Sequence, residues 1–380
     1  MSNPRIASID VFPLRLPFLT EFKISRGSVG GPAAGAPHVY VRVTADTGDV
    51  GWGESRPSPR WSYETQESVV TTIRNYLAPA LIGMDATDIE AVHTVMEREI
   101  APGITVGQPV AKSGLDMALN DLNAKRAGVP LHAFLRPGEP STVRLSYLVS
   151  VDSPEKAEKV TAEARAAGYE GFKVKIGMQP SLDLDILRAV KSAAEGAYLW
   201  ADANQAYTVE DAVELSRRMA DMGADVLEQP VAANDFLGLA ELVSRSALPI
   251  AVDESVFSVG DLDQLIRMEA LNALVIKVSK MAGLTGASKC IERAVDSGIW
   301  LLGSGLTETR LGLAASAHLY AAYGVEIPVD LNGPQFLADD PVAGGGVTID
   351  RAVIGLSGSP GIGVEIDEAK LQEFASRTPN

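Results

Sequence analysis

The central part of the chain repeats one pattern, which is seen in the stretches GFKVKIG (171–177), YLWADAN (198–204), DVLEQPV (225–231), PIAVDES (249–255) and ALVIKVS (273–279). Each stretch is a short apolar run that ends in polar residues, and a longer helical segment separates it from the next. With VRLSYLV (143–149), GIWLLGSG (298–305) and IPVDLNG (327–333), there are eight such runs. Strands that alternate with helices predict a parallel sheet, and eight units favour a closed barrel. The alternative is an open doubly wound sheet, but no G-x-G-x-x-G motif follows a first strand.

A polar side chain stands near the carboxyl end of seven of these runs. The seven residues are Lys175, Asp202, Glu228, Asp253, Lys277, Ser304 and Asp330, at intervals of 27, 26, 25, 24, 27 and 26 residues. Equivalent positions in a barrel recur once per strand and helix, so the series predicts a ring at the mouth, where such barrels hold their active sites. An incidental salt bridge would explain any one of them, but not a lysine, three acids on successive strands and a second lysine.

The three acids Asp202, Glu228 and Asp253 form an all-oxygen set with no histidine or cysteine nearby. Such a set suits a hard cation, and we predict Mg²⁺ because it prefers oxygen ligands and keeps positions open for substrate. Mn²⁺ could substitute, whereas Ca²⁺ fits less well because the motif offers too few ligands. Asn204 is expected on the same side of the strand as Asp202, where it either supports a ligand carboxylate or caps the strand end.

The two lysines of the ring, Lys175 and Lys277, flank the acids and are predicted to face one substrate from opposite sides. A lysine that acts as a base at neutral pH must lose its proton more readily than a free lysine does. Lys173 lies two residues before Lys175 on the same strand face, and its like charge would favour an uncharged Lys175. Schiff-base formation is the alternative role for these lysines, but it needs no adjacent site of three carboxylates.

The first third of the chain has an α+β pattern. Residues 4–18 and 38–52 alternate apolar and polar side chains and predict antiparallel strands, and residues 64–99 and 109–128 have helical spacing. Residues 25–37 (SRGSVGGPAAGAP) are almost all small, so we predict a mobile loop there. None of the four histidines falls on the ring, and His93, His132 and His318 are predicted to be structural residues of helices.

Composition excludes several classes of protein. Hydrophobic residues make up 46% of the chain and charged residues 22%, which is typical of a folded globular protein. The net charge of −16 argues against binding to nucleic acid or to an anionic membrane. The single cysteine, Cys290, fits a reducing compartment, and no signal peptide or membrane span is recognisable, so we expect a cytoplasmic protein.

These motifs together carry a family resemblance. K-V-K at 173, D-A-N at 202, L-E-Q-P at 227, V-D-E-S at 252 and I-K-V-S-K at 276 resemble the enolase superfamily, and specifically its muconate lactonizing enzyme subgroup. The segments AKSGLDMALNDLNAKRAGVPLH (111–132), GLTETRLGLAASAHL (305–319) and PGIGVEID (360–367) resemble the linking helix, the segment after the seventh strand and the returning C-terminal strand of that family. The mandelate racemase branch uses a histidine base from the seventh strand. Ser304 stands there in this chain, so the two-lysine branch is the better match.

The resemblance implies a fold and a division of the chain. The fold is a modified (β/α)7β barrel with an α+β capping domain. Residues 1–135 would form the cap with its lid loops, residues 136–355 the barrel with the metal and catalytic residues, and residues 356–380 a segment that returns to the cap. Lys173, Asn204, Glu254 and Glu308 would support the site electrostatically, and we expect a homo-oligomer that acts on a small-molecule carboxylate.

Substrate choice in this family lies with the cap loops. The segment after Arg26 is the natural lid, since its closure would exclude water. Arg26 or Arg56 could pair with a distal carboxylate, and Trp61 and Tyr63 could contact an apolar or cationic group, although ordinary cap packing also explains them. The remaining candidates for contact with substrate are on the barrel side: Ser304 on the seventh run, and Asp330 and Asn332 on the eighth, where an acid suits an amino or ammonium group better than a muconate.

The shared first step of the family is removal of the proton α to a carboxylate, which gives an enolate that the metal stabilises. Return of a proton from the opposite lysine gives a racemase or epimerase of an amino-acid derivative, and protonation on one face gives a muconate-type cycloisomerase. Loss of a β-hydroxyl gives a dehydratase of the hydroxy acid or hydroxyproline type. The alternative of another class is a non-catalytic barrel that binds a ligand.

Overall fold

The computed structural model describes residues 3–103 and 105–378. The chain begins with β1 (Ile6–Leu16), a hairpin of β2 (Phe22–Ile24) and β3 (Gly27–Gly30), and then β4 (Ala36–Ala45) and β5 (Val50–Ser55). Strands β1, β4 and β5 form an antiparallel sheet in the order β1-β4-β5, which confirms the strands predicted for this region. Their apolar faces, including Val39, Val41 and Val43, are buried in the core of the cap.

Helices cover the other side of this cap core. They are α1 (Gln66–Thr72), a π-helical turn (Ile73–Leu77), α2 (Ala78–Leu81), α3 (Ile89–Glu99), α4 (Pro109–Ala127) and α5 (Leu131–Leu135). The helical spacing predicted for residues 64–99 and 109–128 is thus confirmed, with a break at 82–88. Helix α4 lies directly on β5 because Gly51 and Gly53 have no side chains: a Cβ at either would stand about 2 Å from a carbonyl oxygen of α4.

The prediction of a loop throughout residues 25–37 is wrong. Strand β3 occupies Gly27–Gly30 and β4 already begins at Ala36, so within this stretch only the hairpin turn at 25–26 and residues 31–35 lie outside strands. The hairpin is held by side chains just before the small residues: the ring of Phe22 stacks on Phe336 with centroids 4.6 Å apart, and Ile24 is buried. Composition alone overlooked these anchors because they lie outside the Gly- and Ala-rich stretch.

The second half of the chain forms the predicted barrel. After β6 (Val143–Arg144), seven parallel strands run in sequence order, each joined to the next by a helix. The strands are β7 (Ser146–Val149), β8 (Gly171–Lys175), β9 (Tyr198–Asp202), β10 (Val226–Glu228), β11 (Ile250–Val252), β12 (Ala273–Ile276) and β13 (Trp300–Gly303). The helices are α6 (Pro154–Ala166), α7 (Pro180–Ala193), α8 (Val209–Asp221), α9 (Phe236–Arg245), α10 (Val259–Arg267), α11 (Leu284–Asp296) and, after β13, α12 (Arg310–Tyr323).

The eighth run closes the barrel between its first and last strands. Val329 pairs in parallel with Leu145 beside β7, and Asp330 pairs in parallel with Ser304 beside β13. The pairing is reduced to these two bridges because Pro328 has no amide hydrogen to donate and the chain turns into α13 (Gly333–Phe336) soon afterwards. The fold is therefore a modified (β/α)7β barrel with an α+β cap, as predicted.

The remaining elements return toward the cap. They are β14 (Val342–Gly345), β15 (Val347–Asp350), β16 (Val353–Leu356), β17 (Val364–Ile366) and α14 (Glu368–Arg377). The amide of Ile362 donates to the Asp121 carboxylate of α4 at 2.8 Å, and Glu368 pairs with Arg42 of β4. Among the helices of the described ranges, none is both long enough and apolar enough to cross a bilayer.

Candidate active site

The predicted ring residues lie together at the carboxyl ends of the barrel strands. Lys175 is the last residue of β8 and stands opposite Asp202, the last residue of β9, which in turn stands opposite Glu228 at the end of β10. Asp253 follows β11 and Lys277 follows β12 by one residue. The regular interval in sequence becomes one rim in space because neighbouring parallel strands are in register.

Lysine ammonium groups lie between the carboxylates of this rim. Lys173 Nζ is 2.9 Å from Glu228, 3.1 Å from Asp202 and 3.3 Å from Asp330, and it sits 4.2 Å from the centroid of the Trp200 ring. Lys175 Nζ is 2.5 Å from Asp202. The rim is therefore a buried network of opposite charges in which Lys173 is the central cation.

A second pair of lysines holds Asp253. Lys277 Nζ donates to Oδ2 at 2.5 Å, while Lys280 Nζ donates to Oδ1 at 2.9 Å and to the Asp253 backbone oxygen at 2.6 Å. Lys280 was not among the predicted site residues, although it is the last letter of the I-K-V-S-K motif. The signal was its position three residues after Lys277, which brings it back under the same carboxylate in the turn that follows β12.

Burial and ion pairing set the charge states of these groups. Burial opposes the charge of Lys173, but the carboxylates of Glu228, Asp202 and Asp330 outweigh it and hold the pKa of Lys173 well above its usual value. Burial likewise opposes the charge of Lys277, whose pKa is nevertheless raised by Asp253.

The three acids respond differently to burial. Burial tends to raise the pKa of Asp202 and Asp253, but Lys175 lowers the first and Lys277 the second to below the ordinary range. Glu228, which is buried and close to Asp202, has a raised pKa. The arrangement thus keeps two carboxylates ionised beside a third that is harder to ionise.

Unusual backbone conformations follow β9 and β10. Asn204, Gln205 and Gln229 are non-glycine residues with φ of 42°, 69° and 36°. The turn brings the Asn204 side chain back over the rim, where its oxygen accepts from Lys175 Nζ at 2.9 Å and its amide donates to Glu254 at 3.1 Å. Gln229 accepts from the backbone amide of Asp253 at 2.9 Å. Such strained positions are maintained by the contacts that they create.

A small cavity with mostly buried walls lies above the rim. Its volume is about 30 Å³, and it is lined by Phe22, Ile24, Val29, Arg56, Ser58, Trp61, Lys173, Lys175, Lys277, Gly305, Leu306, Asp330 and Asn332. Side chains of the hairpin β2–β3 form part of its wall, and both candidate bases line it. A larger cavity of about 750 Å³ lies at the amino ends of β7 and β8, next to Arg144 and Glu170, and none of the rim residues borders it. We assign the site by the chemistry of the rim rather than by cavity size.

Most predicted contacts to substrate reach this cavity. Arg56, Trp61, Asp330 and Asn332 line it, and Ser304 lies just behind, 3.3 Å from Asp330. Tyr63 lies outside, because its ring packs on Phe257 and its hydroxyl donates to the Val106 carbonyl. Arg26 also lies outside, and its guanidinium donates to Gln205 at 2.9 Å from the tip of the hairpin. The lining residues missed were Ser58, the hairpin side chains, and Gly305 and Leu306 after β13. For the cap residues among them, the sequence offers only their place on loops.

Two of the lining residues carry unused buried donors. Within the described part of the chain, Arg56 Nε and Trp61 Nε1 are buried and have no hydrogen-bond partner. Arg56 Nη1 donates to the carbonyls of Pro37 and Pro57, which fixes the guanidinium in place. Burial lowers the pKa of Arg56 to about 10, so the group stays charged at neutral pH. An unpaired buried donor is costly, and such groups commonly await a ligand.

Glu308 is buried at the junction of cap and barrel. Its carboxylate accepts from the Leu306 amide at 2.8 Å, and burial together with the nearby charge of Glu54 raises its pKa to about 7. Glu254, whose side chain contacts Asn204, also has its pKa raised to about 7, by burial and by Asp253 and Asp202. Both predicted supporting acids therefore lie close to the rim.

The rim's oxygen donors fit a hard divalent cation. Asp202, Glu228 and Asp253 offer carboxylate oxygens from three neighbouring strands, and Glu228 Oε2 is contacted by the ammonium group of Lys173 at 2.9 Å. Over residues 3–103 and 105–378, no group of three His, Cys, Asp or Glu side chains is spaced to hold a metal as it stands. The reason is visible in the ion pairs, because Lys173, Lys175 and Lys277 lie against the oxygens that a cation would take.

Comparison with family models and known proteins finds matches to a single family. Residues 9–135 match the family model "Mandelate racemase / muconate lactonizing enzyme, N-terminal domain", and residues 155–370 match "Enolase C-terminal domain-like". The L-Ala-D/L-Glu epimerase of Clostridium acetobutylicum is 32% identical over 93% of this chain and 95% of that protein.

Two solved structures are similar over nearly the whole chain. The N-succinyl Arg/Lys racemase of Bacillus cereus is 28% identical, with a TM-score of 0.91 over 97% of this chain and 98% of that one. The dipeptide epimerase of Enterococcus faecalis, solved with Mg and the dipeptide L-Leu-L-Tyr, is also 28% identical, with a TM-score of 0.88 over 95% of this chain and 99% of that one.

Proposed function

Because the chain belongs to the muconate lactonizing enzyme subgroup of the enolase superfamily and is an isomerase, we propose that it racemises or epimerises an amino-acid derivative at the carbon next to a carboxylate. One observation carries this proposal: Lys175 and Lys277, from β8 and from the turn after β12, line the same small cavity. Inversion at carbon needs a base on one face and an acid on the other.

The lysines take the two proton-transfer roles. The lysine that faces the α-hydrogen removes the proton with its uncharged amine, and the opposite lysine, as an ammonium, donates a proton to the other face. Asp202 and Asn204 orient Lys175, while Asp253 orients Lys277. The hairpin β2–β3 excludes water while the proton is off the carbon.

Mg²⁺ is the proposed cofactor, with Mn²⁺ as a substitute. Asp202, Glu228 and Asp253 would hold it, and the dipeptide epimerase solved with Mg supports this choice for the present chain. The cation would supply positive charge for the substrate carboxylate as negative charge develops on it. Lys280 stays on the Asp253 backbone oxygen and so holds that carboxylate in place when Lys277 turns toward substrate.

Asp330 and Arg56 support an amino-acid derivative as substrate. Asp330 places an acid in the cavity wall, where it suits an amino or amide nitrogen. Arg56 offers a fixed, charged donor to a carbonyl or carboxylate further along the molecule. A muconate-type cycloisomerase is less well supported, because a dicarboxylate would meet the negative charge of Asp330. A dehydratase would use the same first step and is distinguished by its product.

Proton exchange in D₂O tests the proposal. The purified protein with Mg²⁺ is incubated with single enantiomers of N-succinylamino acids and with dipeptides, and the α-proton is followed by NMR. We expect exchange and inversion without loss of water, and we expect both to stop when EDTA removes the metal. The proposal would be contradicted if no substrate exchanged its α-proton, or if the product had lost the elements of water.

Lysine variants test the assignment of the two bases. Lys175→Ala and Lys277→Ala should each lose inversion by about 10²–10⁴-fold, and each should still exchange one enantiomer. Mg²⁺ binding measured by calorimetry should survive in both and be lost in Asp253→Asn. Lys159→Ala is the matched control, because that lysine is exposed on α6. If both lysine variants exchange both enantiomers at the unmodified rate, the lysines are not the bases.

A further inference from the structure

Asp330 borders the small cavity, and three donors hold its carboxylate. Its Oδ2 lies 3.3 Å from Lys173 Nζ and accepts from the Ser304 hydroxyl at 3.3 Å. Its Oδ1 accepts from the side-chain amide of Asn332 at 2.9 Å. An ionised carboxylate has about four acceptor positions, so these contacts leave about one of them, on Oδ1. Within the part of the chain that the structure describes, that position has no donor, and a ligand in the cavity can supply one.

Asn332 is held in one orientation by Thr307. A carboxylate accepts but does not donate, so the end of the Asn332 side chain that faces Asp330 must be the NH₂ group. The carbonyl oxygen of Asn332 faces the other way and accepts from the Thr307 hydroxyl at 2.8 Å. Both residues are buried, but only Asn332 is among the residues that line the cavity. Thr307 therefore stands behind the cavity wall and reaches Asp330 through Asn332.

The backbone at Thr307 has an uncommon conformation. Its φ is 66°, in the left-handed region that a β-branched residue rarely adopts. The chain is held there by close packing, because a Cβ at Gly333 would collide with the backbone oxygen of Glu308. Glycine would fit the conformation of Thr307 at lower cost, but it has no hydroxyl for Asn332. The chain thus combines a costly backbone conformation with a hydrogen bond to a residue of the cavity wall.

We propose that Thr307 is a positioning residue for substrate binding. Its hydroxyl orients Asn332, and Asn332 holds the Asp330 carboxylate so that the remaining position on Oδ1 accepts from the N–H group on the α carbon of the substrate. This inference rests on the proposed function, in which the substrate is an amino-acid derivative. The three side chains together select nitrogen over oxygen at that carbon, and Thr307 takes no part in the proton transfer.

A matched pair of compounds measures this selection. One is the N-succinylamino acid or dipeptide that reacts in the assay above, and the other is its analogue in which an ester oxygen replaces the amide N–H on the α carbon. The ester oxygen cannot donate, and its lone pairs would face the Asp330 carboxylate. The affinity of the amide is measured as KM, and that of the ester as its inhibition constant against the amide. We expect the unmodified enzyme to prefer the amide by about 10–100-fold, because hydrogen bonds to charged groups are among the stronger ones.

Variants of Thr307 separate positioning from a merely structural role. Thr307→Val keeps the β-branched shape and removes only the hydroxyl, so the preference for the amide should fall about tenfold through a higher KM, with kcat changed far less. Thr307→Ser restores the hydroxyl and should restore the preference. Thr307→Gly also lacks the hydroxyl and fits a φ of 66° without strain, so it gives the same reading if the valine variant does not fold.

Thr161→Val is the matched control for the same chemical change. Thr161 is buried in α6, and within the described ranges its hydroxyl has no hydrogen-bond partner. We expect this control to keep the preference of the unmodified enzyme.

Two results would overturn the inference. One is a preference for the amide that survives in both Thr307→Val and Thr307→Gly, even if urea unfolding shows these variants to be less stable. The other is equal affinity of the unmodified enzyme for the amide and the ester. Both results leave the proposed function intact, which fails instead if no substrate exchanges its α-proton.

Discussion

Arg56 is a guanidinium group with about 1% of its surface exposed, and it is held by two backbone carbonyls at the wall of the cavity. Its Nε is buried and has no hydrogen-bond partner in the described ranges. The neighbouring acids Glu308 and Glu54 favour its charge without forming a direct ion pair with it. A guanidinium that is held in place and still has a free hydrogen-bond donor is suited to selecting among substrates rather than to transferring the proton.

Replacement of Arg56 should therefore affect binding more than turnover. Arg56→Met removes the charge but keeps most of the apolar volume. For a substrate with a distal carboxylate we expect KM to rise on the order of 10–100-fold, because a charged hydrogen bond contributes about 1.5–3 kcal/mol, with kcat changed far less. Steady-state kinetics of Arg56→Met and of Arg60→Met, which alters an exposed residue of the same loop, provide the comparison. A fall in kcat with KM unchanged would contradict the assigned role.

A buried pair of histidines should make stability depend on pH. His132 of α5 and His318 of α12, both predicted to lie in helices, stack with their Nδ1 atoms 3.1 Å apart. Burial and the neighbouring His132 lower the pKa of His318 to about 4 from 6.5. Because the unfolded chain binds this proton more tightly, stability falls as pH drops from about 6.5 to about 4 and then levels.

Over this pH range the free energy of unfolding is expected to fall by up to about 3 kcal/mol, at about 1.4 kcal/mol per pH unit. Urea unfolding at pH 7.5, 6, 5 and 4 measures it. His318→Gln should flatten the part of the profile below pH 6.5, since it cannot take up the proton. A variant whose stability falls as steeply as that of the unmodified protein would show that other groups govern the acid range.

At the scale of elements, the hairpin β2–β3 borders the small cavity above the rim, so its position affects access to that cavity. Its inner side chains Phe22 and Ile24 contact the cavity, and its backbone and tip bind the barrel through Ser25 to the Asn204 carbonyl at 2.8 Å and through Ser150 to the Lys23 carbonyl at 2.8 Å. The other anchors of the hairpin are the Phe22 ring on Phe336 and the Arg26 guanidinium on Gln205. The hairpin has only two short strands and no helix of its own. We expect it to be the least stable part of the cap, with the fastest amide exchange when no ligand is bound.

Two adjacent glycines of this hairpin should respond differently to alanine. A Cβ at Gly30 would stand 2.6 Å from the ring of Phe18, whereas a Cβ at Gly31 would meet nothing closer than 3.8 Å. Gly30→Ala must displace Phe18 or the hairpin, so we expect kcat/KM to fall about tenfold, which corresponds to about 1.4 kcal/mol. Gly31→Ala should leave kcat/KM within a factor of two or so. Equal effects of the two substitutions would contradict the packing described here.

At the scale of the whole molecule, acids of the cap bind the amino ends of barrel helices. Glu54 of β5 accepts from the amides of Thr309 and Gly312 at the start of α12, at 3.1 and 2.9 Å. Asp116 of α4 accepts from the amide of Thr285 at the start of α11 at 3.1 Å. Negative charge at a helix amino end is favourable, so these contacts fix the cap over the rim.

Removal of the Glu54 carboxylate should weaken this contact between the capping domain and the barrel. Glu54→Gln keeps the size of the side chain but replaces one acceptor oxygen by a donor, and the amides of α12 lose an acceptor in a buried place. We expect a destabilisation on the order of 2 kcal/mol, measured as a lower urea midpoint with an unchanged m value. Glu21→Gln, at an exposed ion pair, should leave the urea midpoint nearly unchanged. An equally small effect of Glu54→Gln would show that the cap is held by apolar packing alone.

The sequence by itself determined the barrel, the cap and the membership of the rim. The interval of 24 to 27 residues between Lys175, Asp202, Glu228, Asp253 and Lys277 is a local property of each strand and helix unit, so it can be read without knowing any contact between units. The same is true of the helices in the cap, whose apolar spacing depends only on the helical period.

The tertiary structure alone decided which cap residues reach the rim. Arg26 and Arg56 are both arginines of cap loops, and Trp61 and Tyr63 are neighbouring aromatic residues of one loop. Arg56 and Trp61 line the cavity, whereas the other two lie outside it. The hairpin in residues 22–30 was missed because its anchoring residue Phe22 stacks on Phe336, which is more than 300 residues away in the sequence. The turn after β12 places Lys280 beside Asp253. The hairpin forms part of the wall of a cavity of about 260 Å³ that Lys175 also lines. These features arise where segments distant in sequence meet, and neither periodicity nor composition encodes such a meeting.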